Sequence, residues 1–263
     1  MYRLASATIL IATFTVGLAA QQSLKPWVEW SPRDAEKILN ESAWGQTEIE
    51  TNTSEMVYSP TNGGGSGPPT SRPSSGIRQD QSDINKNRAV EGAYNKAVSI
   101  NYRIRFLSAR PIREAFARLI LFAQEKSTSE DAQKKVAQLK AQMQEFVDRD
   151  YRDYVVVAVD FDADDGRLSA KAFQQLSSAV TSTLKNHTYL ERSDGKRVFL
   201  MDYRAPIQDG LGAKFVFPRI VAGQPFLNMK SAEIRFYSEV GPDVKLNRRF
   251  SIPDMVYQGK LEY

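Results

Sequence analysis

Four aspartates stand within six residues of the run DFDADDG, which begins at Asp160 and ends at Gly166. Such a dense group of carboxylates offers the oxygen ligands that Ca²⁺ prefers. An EF-hand loop needs glycine at its sixth position and glutamate at its twelfth, where this run has Asp165 and Lys171. Two interpretations remain: a looser calcium site, or an acidic loop whose charge favours the N-terminus of the next helix. The candidate metal ligands are Asp160, Asp162, Asp164 and Asp165.

One histidine and no cysteine restrict the chemistry that the chain can perform. A Ser-His-Asp triad would have to use His187, and no G-x-S-x-G elbow places a serine as its nucleophile. The sequence also lacks the phosphate loop, the dinucleotide fingerprint and the zinc-protease helix. His187 follows the predicted end of a helix, where we expect its side chain to hydrogen-bond the last carbonyl groups. We therefore predict no catalytic residue and no cofactor.

Two arginine clusters suggest either a binding groove or an ordinary solvated surface. Guanidinium groups bind carboxylates and phosphates well, so a groove for an anionic glycan or a lipid head group is one interpretation. The other is the polar face of a strand and a helix, which needs no ligand and which we expect here. The clusters consist of Arg103, Arg105, Arg113 and Arg118, and of Arg248 and Arg249.

All three tryptophans lie around one short predicted helix. Ser31 is a suitable N-cap, Pro32 suits the first helical position, and the helix should end near Glu41. A helix of this length is not stable alone in water, so it must dock on an apolar surface. Docking on a partner and docking on the chain's own β domain both remain open, and we favour the second. The candidate docking residues are Trp27, Trp30, Trp44, Ile38 and Leu39.

The first twenty residues have the layout of a secretory signal peptide. Arg3 precedes an apolar run from about Ala7 to Leu18, and Ala19 and Ala20 suit cleavage. The run is short for a membrane span, which needs about 20 apolar residues, so an uncleaved N-terminal anchor is the less favoured alternative. Without a cysteine at the cleavage site, a bacterial lipoprotein is excluded. We therefore expect a periplasmic or secreted protein with no transmembrane span after cleavage.

Composition divides the rest of the chain into three parts. Residues 21–58 form an N-terminal segment with the tryptophan-flanked helix. Residues 59–88 are rich in glycine, proline and serine and contain no aromatic residue, so we predict a disordered linker. Residues 89–263 form the predicted globular domain. The chain has 35 Lys and Arg against 31 Asp and Glu, an excess too small to indicate nucleic-acid binding.

Hydrophobic periodicity predicts an α+β fold for the globular domain. A half-buried strand over Val98–Phe106 precedes two helices that we interpret as an αα-hairpin. A buried strand over Tyr154–Asp162 precedes another helix, over 168–186, whose Phe173, Leu176 and Val180 share one face. From His187 onward the pattern is strand after strand, beginning with a hairpin around Asp194-Gly195. We predict an antiparallel β-sandwich-like core with inserted helices. The alternative is a two-layer sheet with all helices on one face.

Three stretches resemble a group of exported bacterial proteins best known from acidobacterial-type genomes. They are W-S-x-x-D-A-E-K-I-L-N-x-S-x-W-x-Q at Trp30–Gln46, Ser108-Ala109-Arg110-Pro111, and a tail that ends in M-V-Y-Q-G-K-L-E-Y. The resemblance implies an exported protein. It implies no activity and no functional residue, because that group has no assigned activity.

We consider three functional hypotheses. The first is an exported, non-catalytic interaction module of the cell envelope or the extracellular space, whose partner is an envelope protein or an anionic glycan. The second is a hydrolase that acts on glycans or peptides through paired carboxylates. The third is a structural domain stabilised by calcium. The sequence favours the first, because it offers no catalytic motif.

Overall fold

The computed structural model of the protein describes residues 25–52, 98–125 and 130–263. The predicted signal peptide (1–20) and linker (59–88) lie outside the described residues. The helices are α1 (Pro32–Asn40), α2 (Arg110–Gln124), α3 (Glu130–Val147), α4 (Gly166–Ser178) and α5 (Thr181–Leu184). A short 3-10 turn, Trp27–Glu29, precedes α1. Within these ranges no helix combines the length and the apolar character needed to cross a membrane.

Two antiparallel sheets contain most of the strands. The first has the order β1 (Gly45–Asn52), β2 (Val98–Phe106), β3 (Tyr154–Ala163), β7 (Ala213–Pro218) and β6 (Asp202–Arg204). The second has the order β11 (Lys245–Ser251), β10 (Glu233–Glu239), β4 (Thr188–Arg192) and β5 (Arg197–Phe199). Two small hairpins join β8 (Ile220–Val221) to β9 (Gln224–Pro225) and β12 (Val256–Tyr257) to β13 (Lys260–Leu261).

The two sheets face each other across an aromatic core. Phe106 of the first sheet meets Phe250 of the second edge to face, with ring centroids 4.9 Å apart. Phe215 and Phe236 make a similar contact at 5.4 Å. All four rings are fully buried, and each contributes about 1.5–3 kcal/mol relative to exposure. The predicted α+β fold with a sandwich-like core is therefore confirmed.

The outer face of the first sheet is covered by helices. Ile112 and Leu121 of α2 and Val147 of α3 share a second apolar cluster with Val156 and Val216 of the sheet. The ring centroids of Phe116 and Phe146 are 5.9 Å apart, so the middle of α2 lies beside the end of α3. The predicted αα-hairpin is thus present, inserted between β2 and β3.

The N-terminal segment is built into this same structure. Ser31 and Asp34 form a capping box at the start of α1, and Trp27 and Trp30 are only 8% and 5% exposed. After α1 the chain turns at Gly45, where a side-chain carbon would stand 2.1 Å from the carbonyl oxygen of Leu39. The following strand, β1, pairs with β2 along its whole length. Sequence patterning did not predict β1.

One helix differs from its prediction. The pattern indicated a continuous helix through residues 168–186 with Phe173 and Val180 facing inward, whereas the backbone is extended at Ala179 and Val180. Phe173 is 54% exposed, and Ala172 and Leu176 are the buried positions. The break allows the hydroxyl of Thr181 to accept a hydrogen bond from the main-chain N–H of Tyr203 at 2.9 Å.

We expect Trp30→Ala to lower the free energy of unfolding by about 3–5 kcal/mol, because truncating a buried aromatic side chain leaves a cavity. Phe173→Ala is the matched control, and its exposed ring predicts a loss within about 0.5 kcal/mol. Urea unfolding of the full chain measures both. Equal losses in the two variants would show that the tryptophan segment does not support the core.

Candidate functional site

The four aspartates of the acidic run contact different partners. Asp160 pairs with Arg103 at 2.9 Å, and Asp164 accepts a hydrogen bond from the Ser99 hydroxyl at 2.8 Å. Asp165 caps α4 by accepting from the main-chain N–H of Arg167 at 2.7 Å, while Asp162 is exposed. Over the described part of the chain no group of three or more His, Cys, Asp or Glu side chains is placed to hold a metal ion. The geometry thus agrees with an acidic cap and gives the calcium hypothesis no support.

We expected the side chain of His187 to cap the helix before it, and it does not. Its main-chain N–H closes α5 by donating to the carbonyl oxygen of Leu184 at 2.9 Å. Its imidazole is 61% exposed, and Nδ1 lies 3.9 Å from the Glu239 carboxylate.

The expectation that the first arginine cluster forms a solvated face was wrong for three of its four members. Arg105, Arg113 and Arg118 are only 7%, 5% and 8% exposed. They are buried because main-chain oxygens from distant segments accept their hydrogen bonds. Arg118 donates to the carbonyl oxygen of Trp30 at 2.7 Å, and Arg105 donates to that of Leu39 at 3.1 Å. Burial lowers the pKa of Arg105 to about 10.

The candidate docking residues are occupied within the chain. Trp27, Trp30, Ile38 and Leu39 are buried against α2 and its neighbours. Trp44 is partly buried, and its indole N–H donates to the main-chain oxygen of Glu262 at 2.8 Å. Docking on a partner through these side chains would require the segment to leave this surface.

The site that the structure brings together lies elsewhere, in an open pocket of about 810 Å³. We call it the arginine pocket. It is formed by the start of α2, the segment after α3, the β8–β9 hairpin and the last residues of the chain. Its lining includes five arginines: Arg110, Arg113, Arg149, Arg152 and Arg219.

Two of these arginines are neutralised by neighbouring carboxylates. Arg110 lies 2.8 Å from Glu114 and 3.0 Å from Asp148. Arg152 pairs with Asp150 at 2.5 Å, and its hydrogen bonds hold the pKa of that carboxyl below its usual value. These pairs contribute little net charge to the pocket.

Arg113 is satisfied by main-chain oxygens instead. Its Nε donates to Val147 at 2.9 Å, and its Nη1 donates to Leu107 at 3.1 Å and to Ser108 at 2.5 Å. The guanidinium also lies over the ring of Tyr151 at 4.8 Å. Burial lowers the pKa of this arginine, because a cationic group loses its hydration when it leaves water.

Arg219 is held in the same way on the opposite side of the pocket. Its Nε donates to the main-chain oxygens of Tyr151 at 3.0 Å and Tyr154 at 3.3 Å, and its Nη2 donates to that of Tyr263. The guanidinium lies 4.0 Å above the Tyr263 ring. Burial again lowers the pKa of the arginine.

The fifth arginine, Arg149, is exposed, and its guanidinium lies 5.8 Å from the centroid of the Phe146 ring. Among the described residues, no Asp or Glu side chain lies within 4.0 Å of the guanidinium of Arg113, Arg149 or Arg219. The remaining acidic group of the lining, Glu262, accepts a hydrogen bond from the main-chain N–H of Arg110 at 3.1 Å and so caps α2. The pocket therefore carries positive charge that its own side chains do not neutralise.

No family model matches the chain, and none of the curated proteins matches it either. A solved structure that it resembles is a novel protein of unknown function from Burkholderia pseudomallei K96243. The two chains are 11% identical, the TM-score is 0.37, and the match covers 57% of this chain and 74% of that chain. We draw no conclusion about fold or function from a likeness of this size.

Sequence reasoning identified Arg113 but missed the other four arginines of the pocket. A signal for Arg149 was present in the sequence: charge alternates in Asp148-Arg149-Asp150, directly after an amphipathic helix. Arg219 gave no such signal, because it follows Pro218 at the end of a strand and lies far from α3 in sequence.

A second cleft, of about 570 Å³, lies where α1 and β1 meet β11. Beside it, Arg248 donates to the side chain of Gln46 at 3.0 Å, and Glu48 accepts from the main-chain N–H of Asn247 at 3.1 Å. Burial raises the pKa of Glu48 and of Glu50. Neither glutamate lines the cleft, and Glu41 is the one acidic residue among the described residues that line it, so the cleft lacks the pair of facing carboxylates that a glycan hydrolase needs.

The raised pKa of Glu48 predicts a pH-dependent cost to stability. The folded chain binds the proton of the Glu48 carboxyl more tightly than the unfolded chain does. The loss of stability therefore appears as the pH rises through 4.5, the ordinary pKa of a glutamate, and above. We expect Glu48→Gln, which keeps an acceptor for Asn247, to raise the melting temperature at about pH 8. The gain should disappear near pH 4. A lower melting temperature at both pH values would mean that the ionised carboxylate stabilises the fold.

Proposed function

We propose that this chain is an exported, non-catalytic interaction module of the cell envelope or the extracellular space, and that the arginine pocket binds an anionic ligand. The observation that carries the proposal is the convergence of Arg113, Arg149 and Arg219 on one pocket, where no Asp or Glu side chain of the described residues lies within 4.0 Å of any of the three guanidinium groups. Guanidinium groups bind carboxylates, sulfates and phosphates through charge-assisted hydrogen bonds.

The fixed geometry of the pocket supports binding. Arg113 and Arg219 are anchored by main-chain oxygens, so a ligand would meet charges that are already in place. The lining also contains apolar side chains, among them Val147 and Leu227, which favour a ligand with both charged and uncharged parts. An anionic glycan and an acidic surface of an envelope protein both meet this description.

A hydrolytic function has less support at this pocket. Its three acidic side chains, Asp148, Asp150 and Glu262, are each engaged with an arginine or with a helix N-terminus. A general acid needs a carboxyl group that keeps its proton near neutral pH, and the pKa of Asp150 is lowered instead.

Binding of inorganic phosphate and of heparin to the purified full chain, measured by calorimetry, tests the anion site. We expect both to bind, more weakly as salt is added. Arg149→Ala should weaken binding roughly tenfold or more, because a hydrogen bond to a charged group contributes about 1.5–3 kcal/mol. Arg149 is exposed, so the fold should be unaffected.

Arg204→Ala is the matched control, since Arg204 is 72% exposed, pairs with Asp202 and does not line the pocket. Its affinity should equal that of the wild type. Failure of both probes to bind, or an equal loss in the two variants, would overturn the proposal.

Export is tested independently of binding. We expect the chain, expressed with its first twenty residues in a bacterial host, to be recovered outside the cytoplasm with an N-terminus at residue 20 or 21. Cell fractionation followed by mass spectrometry measures this. An intact chain in the cytoplasm would contradict the export part of the proposal.

A further inference from the structure

An exposed apolar hairpin stands at the edge of the arginine pocket. It consists of β8, β9 and the two-residue turn Ala222-Gly223, whose positive φ angles of 51° and 75° match a type I′ turn. All six residues from Ile220 to Pro225 are exposed, and none is charged. Ile220 and Val221 are 43% and 42% exposed, which places two branched aliphatic side chains in water on a projecting loop.

The base of the hairpin is fixed to the core and to the pocket. The main-chain N–H of Phe226 donates to the oxygen of Arg219 at 2.8 Å, and the Phe226 ring is buried beneath Arg192. Ile220 and Pro225 also line the arginine pocket. The apolar tip and the guanidinium of Arg219 are therefore held next to each other.

Arg149 adds an exposed cation to this surface, on the segment that forms another wall of the pocket, whereas Arg152 on the same segment is paired with Asp150 at 2.5 Å. The lining contains five arginines against three acidic side chains. A projecting apolar loop beside such a pocket complements an anionic bilayer, where phosphates lie beside hydrocarbon. A polysaccharide fits the hairpin less well, because isoleucine and valine offer no aromatic face on which a sugar ring could stack. The two tyrosines of the pocket, Tyr151 and Tyr263, each already have a guanidinium over the ring.

We propose that the arginine pocket binds the phosphate of an anionic phospholipid while Ile220 and Val221 enter the bilayer interface, which docks the protein on a membrane surface. This inference rests on the proposed anion binding and names its ligand class. Each basic side chain near an anionic surface contributes attraction that salt screens, and the hairpin adds an apolar contribution that salt does not weaken.

Sedimentation of the full chain with vesicles tests the inference. We expect binding to vesicles of phosphatidylcholine mixed with phosphatidylglycerol and none to phosphatidylcholine alone. Val221→Asn should weaken vesicle binding roughly tenfold without changing the net charge. Val180→Asn is the matched control, because Val180 is 50% exposed and outside the pocket, and it should bind as the wild type does. Unchanged melting temperatures would confirm that both variants fold.

The phosphate and heparin titrations separate this inference from the proposed function. Binding of the soluble anions without binding to vesicles would overturn membrane docking and leave the anion site standing, with a glycan as its ligand if heparin binds tightly. Failure of every probe would overturn both. Equal vesicle binding by Val221→Asn and the wild type would show that the hairpin does not insert.

Discussion

Buried guanidinium groups that donate to main-chain carbonyl oxygens hold the layers of this protein together. Arg105 donates to the oxygen of Leu39 in the last turn of α1, and Arg113 donates to that of Val147 at the end of α3. The last carbonyl groups of a helix have no partner within it, and the helix dipole favours a cation there. Each buried charge thus satisfies acceptors that would otherwise be left without a hydrogen bond. Removing the arginine would leave those acceptors unsatisfied, at about 1–3 kcal/mol each.

Hydrogen bonds of the same kind, from arginine to main-chain oxygens, explain why the N-terminal segment is part of the fold. Arg118 donates to the main-chain oxygen of Trp30, and Arg105 donates to that of Leu39. β1 extends the first sheet by one strand beyond β2. The indole of Trp44 then donates to the main chain at Glu262, whose carboxylate caps α2. The first described residues and the last therefore support the helix that carries Arg110 and Arg113, so the pocket depends on both of these segments.

Local sequence patterns predicted a helix or strand well where the burial of one of its faces, or the cap at its end, was enough to specify it. The alternation in Val98–Phe106 gave the strand with its observed ends, and Ser31 with Pro32 gave the start of α1. The same patterns did not predict the buried arginines, because polar periodicity assigns every arginine to the solvent. The main-chain oxygens that accept their hydrogen bonds belong to distant segments. The oxygens that bury Arg105 and Arg118 lie 66 and 88 residues away in sequence. β1 was missed for a related reason: its glutamates face the edge of the second sheet, where Glu48 meets Asn247.

The arginines of the pocket differ in how many hydrogen-bond donors they can offer to a ligand. Arg113 and Arg219 donate most of their hydrogen bonds to the main chain, so they supply positive potential and rigidity more than free donors. Arg149 has neither a carboxylate nor a carbonyl partner among the described residues, which leaves its donors available to a ligand. Burying Arg113 and Arg219 is costly because each guanidinium loses hydration, and that cost decreases when an anion enters. Together with the exposed Arg149, these two arginines place positive charge where an anion can approach from solvent.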